Sequence, residues 1–281
     1  MFEYQVVQLA RKASHCLALV LGLTLLVSTR SAAETAEDSV SGIITIGDSL
    51  TAGLSITAGG TVRCAAQGNR LLTITTLKEC KGNGVANVGG WQPTLSQIYS
   101  TTVFNNGNTG ELTPAILART NSILASQSGS HVLIWGGTND AIRGNINTAI
   151  SSIRSMLDQV YQSGKIPIVA TIPPLSGSSV SSRNSQVLTL NGWILDLPQE
   201  YEGLVVADMY ARLAPVWSQA TSGDFIHLGS FGNSLVAEEW DLAIQRDYEN
   251  RNPPIPIGAV ISAISVILLD EEEEEEEMEA P

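Results

Sequence analysis

Short apolar runs alternate with helical periods from about residue 41 to residue 250. Ile43, Ile44 and Ile46, flanked by Gly42 and Gly47, read as a buried strand. Residues 102–105 form a second, weaker candidate. Residues 131–135, 166–171 and 204–207 are a third, fourth and fifth. Between the third and fourth, Ile146, Ile150, Ile153, Leu157 and Val160 recur at helical spacing, and Gly164 follows as a C-cap. Residues 112–125 and 231–244 also read as helices. This alternation predicts an α/β fold whose parallel sheet is covered on both faces.

Two segments break the rhythm. Residues 55–90 are rich in glycine and threonine and carry Cys64 and Cys80. Their length predicts an inserted loop that is functional or locally stapled. At the other end, Asn252-Pro253-Pro254-Ile255-Pro256 breaks the last helix, residues 257–269 are almost wholly apolar, and residues 271–277 are all glutamate.

The N-terminus reads as a secretory signal. Arg11 and Lys12 give a basic start, residues 17–27 are apolar but short for a membrane span, and Ser31-Ala32-Ala33 suits cleavage after Ala33. The expected organisation is a signal peptide over 1–33, one domain over 34–250 and a tail over 251–281, secreted or periplasmic. An uncleaved signal anchor is the rival reading. Cleavage would remove Cys16 and leave Cys64 and Cys80, an even number in an oxidising compartment. A disulfide between them would contribute about 3 kcal/mol by chain entropy. Two buried free thiols are the alternative, and metal binding needs more ligands than this segment supplies.

The net charge is −13, but nine acids lie within the last twelve residues, so the body is only mildly acidic. No basic patch is visible, which argues against nucleic acid or an anionic membrane surface as partner. Residues 257–269 fall short of the roughly 20 apolar residues of a bilayer span. Packing on the domain or a second copy, membrane association and disorder all remain open for them.

Four fragments carry chemistry. Ile46-Gly47-Asp48-Ser49-Leu50 lifts a serine between a strand and a helix, where backbone N–H groups gather. Asp224-Phe225-Ile226-His227 lets one loop present a carboxylate to an imidazole, fixing its tautomer so that the other nitrogen faces Ser49. Asn106-Gly107-Asn108-Thr109-Gly110 offers the Gly110 N–H in a turn, and Gly137-Thr138-Asn139-Asp140 offers the Asn139 amide. With the Ser49 N–H these are candidate donors to an oxyanion. Taken singly, Gly110 and Asn139 suit turn chemistry equally well, and His227 suits a surface loop. His131 begins a strand and reads as a strand-edge histidine. Asp48 and Asp140 read as structural residues that hold turns.

Together the four fragments resemble the blocks of the GDSL or SGNH hydrolase family, in its secreted bacterial esterase and lysophospholipase-like branch. The likeness spans about residues 43–246, and Trp91-Gln92-Pro93-Thr94-Leu95 is similar to the family's short helix after the serine turn. The resemblance implies a flavodoxin-like three-layer α/β/α sandwich with a central parallel five-stranded sheet, and ester hydrolysis without metal or cofactor. It carries the nucleophile to Ser49, its base and acid partners to His227 and Asp224, and the oxyanion donors to Ser49, Gly110 and Asn139. The 55–90 insertion and the C-terminal extension depart from the pattern and bear on substrate choice. Expected substrates are lipid acyl esters or O-acetyl groups on polysaccharide, and the scarcity of aromatics tilts the expectation toward acyl esters. A glycan- or partner-binding module on the same fold, or acyl transfer to a sugar, are the alternatives.

Overall fold

The computed structural model describes residues 35–57, 61–176 and 180–253. The signal-like residues 1–33 and the apolar and acidic tail from 254 onward lie outside the described residues. In chain order the elements are α1 (Ala36–Ser39), β1 (Ile43–Gly47), α2 (Ser49–Ala52), β2 (Leu54–Ile56), β3 (Val62–Cys64), β4 (Arg70–Leu72), β5 (Val85–Ala86), α3 (Gln92–Ile98), β6 (Val103–Gly107) and α4 (Thr113–Ser126). There follow β7 (His131–Trp135), α5 (Thr138–Arg143), α6 (Ile146–Gln162), β8 (Ile166–Ala170), α7 (Asn184–Asp196), β9 (Val205–Ala207), α8 (Met209–Leu213), α9 (Trp217–Ala220) and α10 (Ser230–Arg251).

The main sheet runs β5-β6-β1-β7-β8-β9. All neighbours are parallel except β5, which pairs antiparallel with β6. The five parallel strands follow the flavodoxin-like order, in which the chain leaves β1 first to one side and then to the other. The expected five-stranded sheet is therefore present, with one addition: the two-residue strand Val85–Ala86, contributed by the insertion, extends its edge. Too short and exposed to carry a hydrophobic pattern, it was not visible in the sequence.

Central strands β1, β7 and β8 are mostly apolar because both faces are covered, with Thr45 and His131 as buried polar exceptions. Ile43, Leu133, Trp135 and Ile168 point to one layer, with α3 and α10, whereas Ile44, Ile46, Val132, Ile134 and Val169 point to the other, with α4, α6 and α7. In the first layer Trp91, Trp135 and Trp240 pack with ring centroids 5.7–6.4 Å apart. In the second, α6 buries Ile146, Ile153, Leu157 and Val160 and partly covers Ile150, as its period requires, and stops just before Gly164, whose φ is +72°.

The insertion is stapled by its cysteines as its length suggested, but it is not a plain loop. Strands β2, β3 and β4 form a small antiparallel sheet, and Cys64 and Cys80 are joined in a disulfide. Ala52, Leu54, Val62, Cys64, Ala66 and Cys80 make a core beneath it. Short strands with one covered face leave too few apolar positions for an alternation to register.

His131, read as a strand-edge histidine, is fully buried. Its Nε2 lies 3.4 Å from Asp247 Oδ2, Ser130 Oγ lies 2.9 Å from its Nδ1, and Asp247 also accepts from Arg251. This cluster ties the start of β7 to the end of α10. Burial acts to raise the Asp247 carboxyl, but the bonds from His131 and Arg251 outweigh it and hold the group below the usual carboxylate range. A carboxyl depressed on folding contributes stability above its unfolded value near pH 4 and loses it as pH falls through the folded value. Asp247→Asn is expected to lower unfolding free energy at pH 7 by about 2 kcal/mol. The variant should also lose less stability than wild type between pH 4 and pH 2, as measured by denaturant titration.

Candidate active site

Strands β6, β1 and β7 end side by side, and each is followed by one of the fragments singled out in the sequence. Gly47 closes β1. A Cβ there would lie 2.2 Å from the Trp135 carbonyl oxygen and 2.1 Å from Thr51 Oγ1, so β1, β7 and α2 approach more closely than any side chain permits. Gly107 closes β6 under the same constraint, its Cβ position 2.0 Å from the Ala52 nitrogen. Asp48 then caps α2, its Oδ1 accepting the Leu50 N–H at 3.0 Å. Ser49 becomes the first residue of that helix, with its hydroxyl turned to the end of the sheet.

Opposite Ser49 lies the turn before α10. His227 Nε2 is 2.9 Å from Ser49 Oγ, and His227 Nδ1 is 2.5 Å from Asp224 Oδ2. Asp224 Oδ1 accepts the N–H groups of Ile226 and His227 at 3.1 and 3.0 Å and the Ser222 hydroxyl at 3.1 Å. Burial acts to raise the Asp224 carboxyl, but the bonds from His227 and from the two backbone N–H groups prevail and bring it down to about 2. An ionised Asp224 holds the proton on Nδ1, which leaves Nε2 to accept from the Ser49 hydroxyl. Phe225, between the two, has φ +60°, a region bulky side chains rarely enter, and the residue is 47% exposed. Such a conformation costs on the order of 1–3 kcal/mol and persists only when its surroundings hold it.

On the other flank, Gly110 adopts φ +77° in the turn before α4, and its N–H has no acceptor among the described residues. Asn139 follows β7 and spends one of its amide protons on the Glu111 carbonyl, 3.0 Å away. Asp140 accepts both the N–H and the hydroxyl of Thr113 at 3.0 Å, so the starts of α4 and α5 are fastened together beside Gly110 and Asn139. Burial raises the Asp140 carboxyl against those bonds. Burial also pushes Asp48 up to about 7, with the Leu50 N–H and His227 pulling it down, and its Oδ2 has no hydrogen-bond partner.

Residues outside the four fragments also shape this edge. Arg119 on α4 donates to Glu111 Oε2 at 2.9 Å and to the Gly47 carbonyl at 3.0 Å, and Asn108 donates to Glu111 Oε1 at 2.9 Å. A lone arginine on a helix face gives no local sign of such a reach. Ser222 was missed for the same reason. No group of three or more His, Cys, Asp or Glu side chains suited to a metal ion occurs among the described residues.

The family model described as GDSL-like lipase/acylhydrolase matches residues 45–235. No curated protein matches the chain by sequence. Similar solved structures include a lipase/acylhydrolase from Enterococcus faecalis, with 17% identity, 73% of this chain and 95% of that one covered, and a TM-score of 0.53. A GDSL-like lipase from Bacteroides thetaiotaomicron has 15% identity over 78% of this chain and 95% of that one, with a TM-score of 0.53. A catalytic mutant of an acetylxylan esterase from Geobacillus stearothermophilus has 17% identity over 73% of this chain and 94% of that one, with a TM-score of 0.54.

The packing at Gly47 has a direct consequence. A methyl group there has to push β1 from β7 or shift α2, and a displacement of about 1 Å at a reacting group costs about a hundredfold in rate. Gly47→Ala is expected to lower kcat for p-nitrophenyl acetate by about that factor, while circular dichroism still reports a folded α/β protein.

Proposed function

The chain belongs to the GDSL-like lipase/acylhydrolase family and is an ester hydrolase, and we propose that it is a secreted serine esterase whose reaction is carried by Ser49, His227 and Asp224. The observation behind this reading is the unbroken line of hydrogen bonds from Ser49 Oγ through the His227 ring to Asp224, at 2.9 and 2.5 Å.

In this mechanism Ser49 Oγ attacks the ester carbonyl as His227 Nε2 takes its proton. Asp224, ionised far below neutral pH, orients the ring and stabilises the imidazolium. The N–H groups of Ser49 and Gly110 and the free amide proton of Asn139 receive the oxyanion, each donor worth roughly 10²–10³ in rate. His227 returns the proton to the departing alcohol, leaving an acyl group on Ser49. Water then attacks with His227 again as base, and the acid departs.

The substrates proposed are carboxylic esters ranging from O-acetyl groups on polysaccharide to lipid acyl esters. The acetylxylan esterase among the structural relatives supports the acetyl end of that range. Secretion is supported by the signal-like pattern of residues 1–33 and by the Cys64–Cys80 disulfide, a bond typical of oxidising compartments.

Hydrolysis of p-nitrophenyl acetate and octanoate by the purified protein tests the reading. Ser49→Ala is expected to lower kcat by on the order of 10⁴–10⁶-fold, and Asp224→Asn by about 10⁴-fold. The chain length preferred by wild type ranks acetyl against lipid substrates. Retention of more than a tenth of the activity by Ser49→Ala would reject the serine mechanism.

A further inference from the structure

The disulfide-stapled insertion touches the proposed catalytic site on both sides. Its Ile56, at the end of β2, donates its N–H to Ser222 Oγ at 3.2 Å and accepts the Gly223 N–H at 2.5 Å. These are the two residues immediately before Asp224. A hydroxyl has one proton and two lone pairs. With Ile56 N–H occupying a lone pair, the Ser222 proton is directed to Asp224 Oδ1, 3.1 Å away. The fourth acceptor contact of Asp224 is thus aimed by an element more than 160 residues earlier in the chain.

On the other side the Cys80 carbonyl accepts the N–H of Thr109 at 3.1 Å, and Thr109 precedes Gly110. Lys81 bridges Asn108, and Gly82 N–H donates to the Gly107 carbonyl at 2.7 Å. The disulfide joins these two attachments. Cys64 lies opposite Leu54 in the β2–β3 pairing, and its bond to Cys80 spans the insertion through a fully buried contact. Ala52, on the helix that begins with Ser49, packs in the same small core.

We infer that residues 54–57 and 61–82 are a positioning element for this site, with Ser222 as the positioning residue for Asp224 and the Cys64–Cys80 bond coupling it to the Gly110 turn. The inference rests on the roles proposed above for Ser49, Asp224, His227 and Gly110. It also accounts for the left-handed Phe225. That turn is held by Phe225 N–H to Ser222 carbonyl at 3.2 Å, and Ser222 is in turn held by Ile56.

Steady-state kinetics on p-nitrophenyl acetate separate positioning from mere cover. Ser222→Ala is expected to lower kcat about tenfold, the loss of one hydrogen bond to a charged group, with KM unchanged within twofold. Ser222→Thr, which keeps the hydroxyl, should recover most of the rate. Cys64→Ser with Cys80→Ser should lower kcat comparably, well below its melting temperature. Asp247→Asn, destabilised at the far end of the sheet, should keep the wild-type kcat. The inference is overturned if Ser222→Ala keeps kcat within twofold of wild type, or if its loss lies in KM. A double cysteine variant that fails to fold leaves the Ser222 pair to decide. An active Ser49→Ala would instead overturn the underlying mechanism, so the two failures are distinguishable.

Discussion

The Trp135 carbonyl oxygen lies 2.2 Å from where a side chain on Gly47 would begin, and the arrangement of the site follows from that close approach. It lets β1 end against β7 while α2 starts directly over the same edge. Gly107 permits the corresponding approach from β6. Three strand ends therefore converge at the switch point of a parallel sheet, where the first helical turn exposes unpaired N–H groups. Ser49 is delivered by β1, Gly110 by β6 and Asn139 by β7. The histidine comes from the turn before α10, which the tryptophan cluster of Trp91, Trp135 and Trp240 anchors to the sheet.

Much of this was legible in the chain because buried parallel strands must be apolar and because turns of unusual backbone need particular residues. β1 and β7 read clearly, and α6 buries four of the five residues its period picks out, with Ile150 partly covered. The four fragments read clearly because each sits at a strand or helix end. What stayed hidden lacks a local signature. Helix α7 buries Val187, Leu190 and Ile194 yet exposes Leu188 and Leu195, which blurs its period. The insertion forms its small sheet from three-residue strands whose core depends on a disulfide and on Ala52 from another element. Arg119, Glu111 and Ser222 are each held by contacts to distant segments, at Gly47, Asn139 and Ile56 respectively, which no spacing rule records.

The surroundings of the two carboxylates push them in opposite directions. Asp224 accepts hydrogen bonds from an imidazole, two backbone N–H groups and a hydroxyl, and it stays ionised to about 2. Asp48, buried next to Ser49 with one oxygen unpartnered, is pushed up to about 7. Only the first has the donors to stabilise an imidazolium at neutral pH. The same turn carries strain: Phe225 occupies a left-handed conformation although the residue is half exposed, so the backbone geometry rather than burial accounts for its position.

In the proposed reaction Ser49 becomes covalently acylated. Incubation of the protein with an aryl diethyl phosphate, followed by intact and peptide mass spectrometry, tests this most directly. The account predicts one diethylphosphoryl group per chain, on the peptide containing Ser49, formed in step with loss of esterase activity. Loss of activity with the adduct on another residue, or a fully active protein carrying the adduct on Ser49, would contradict it.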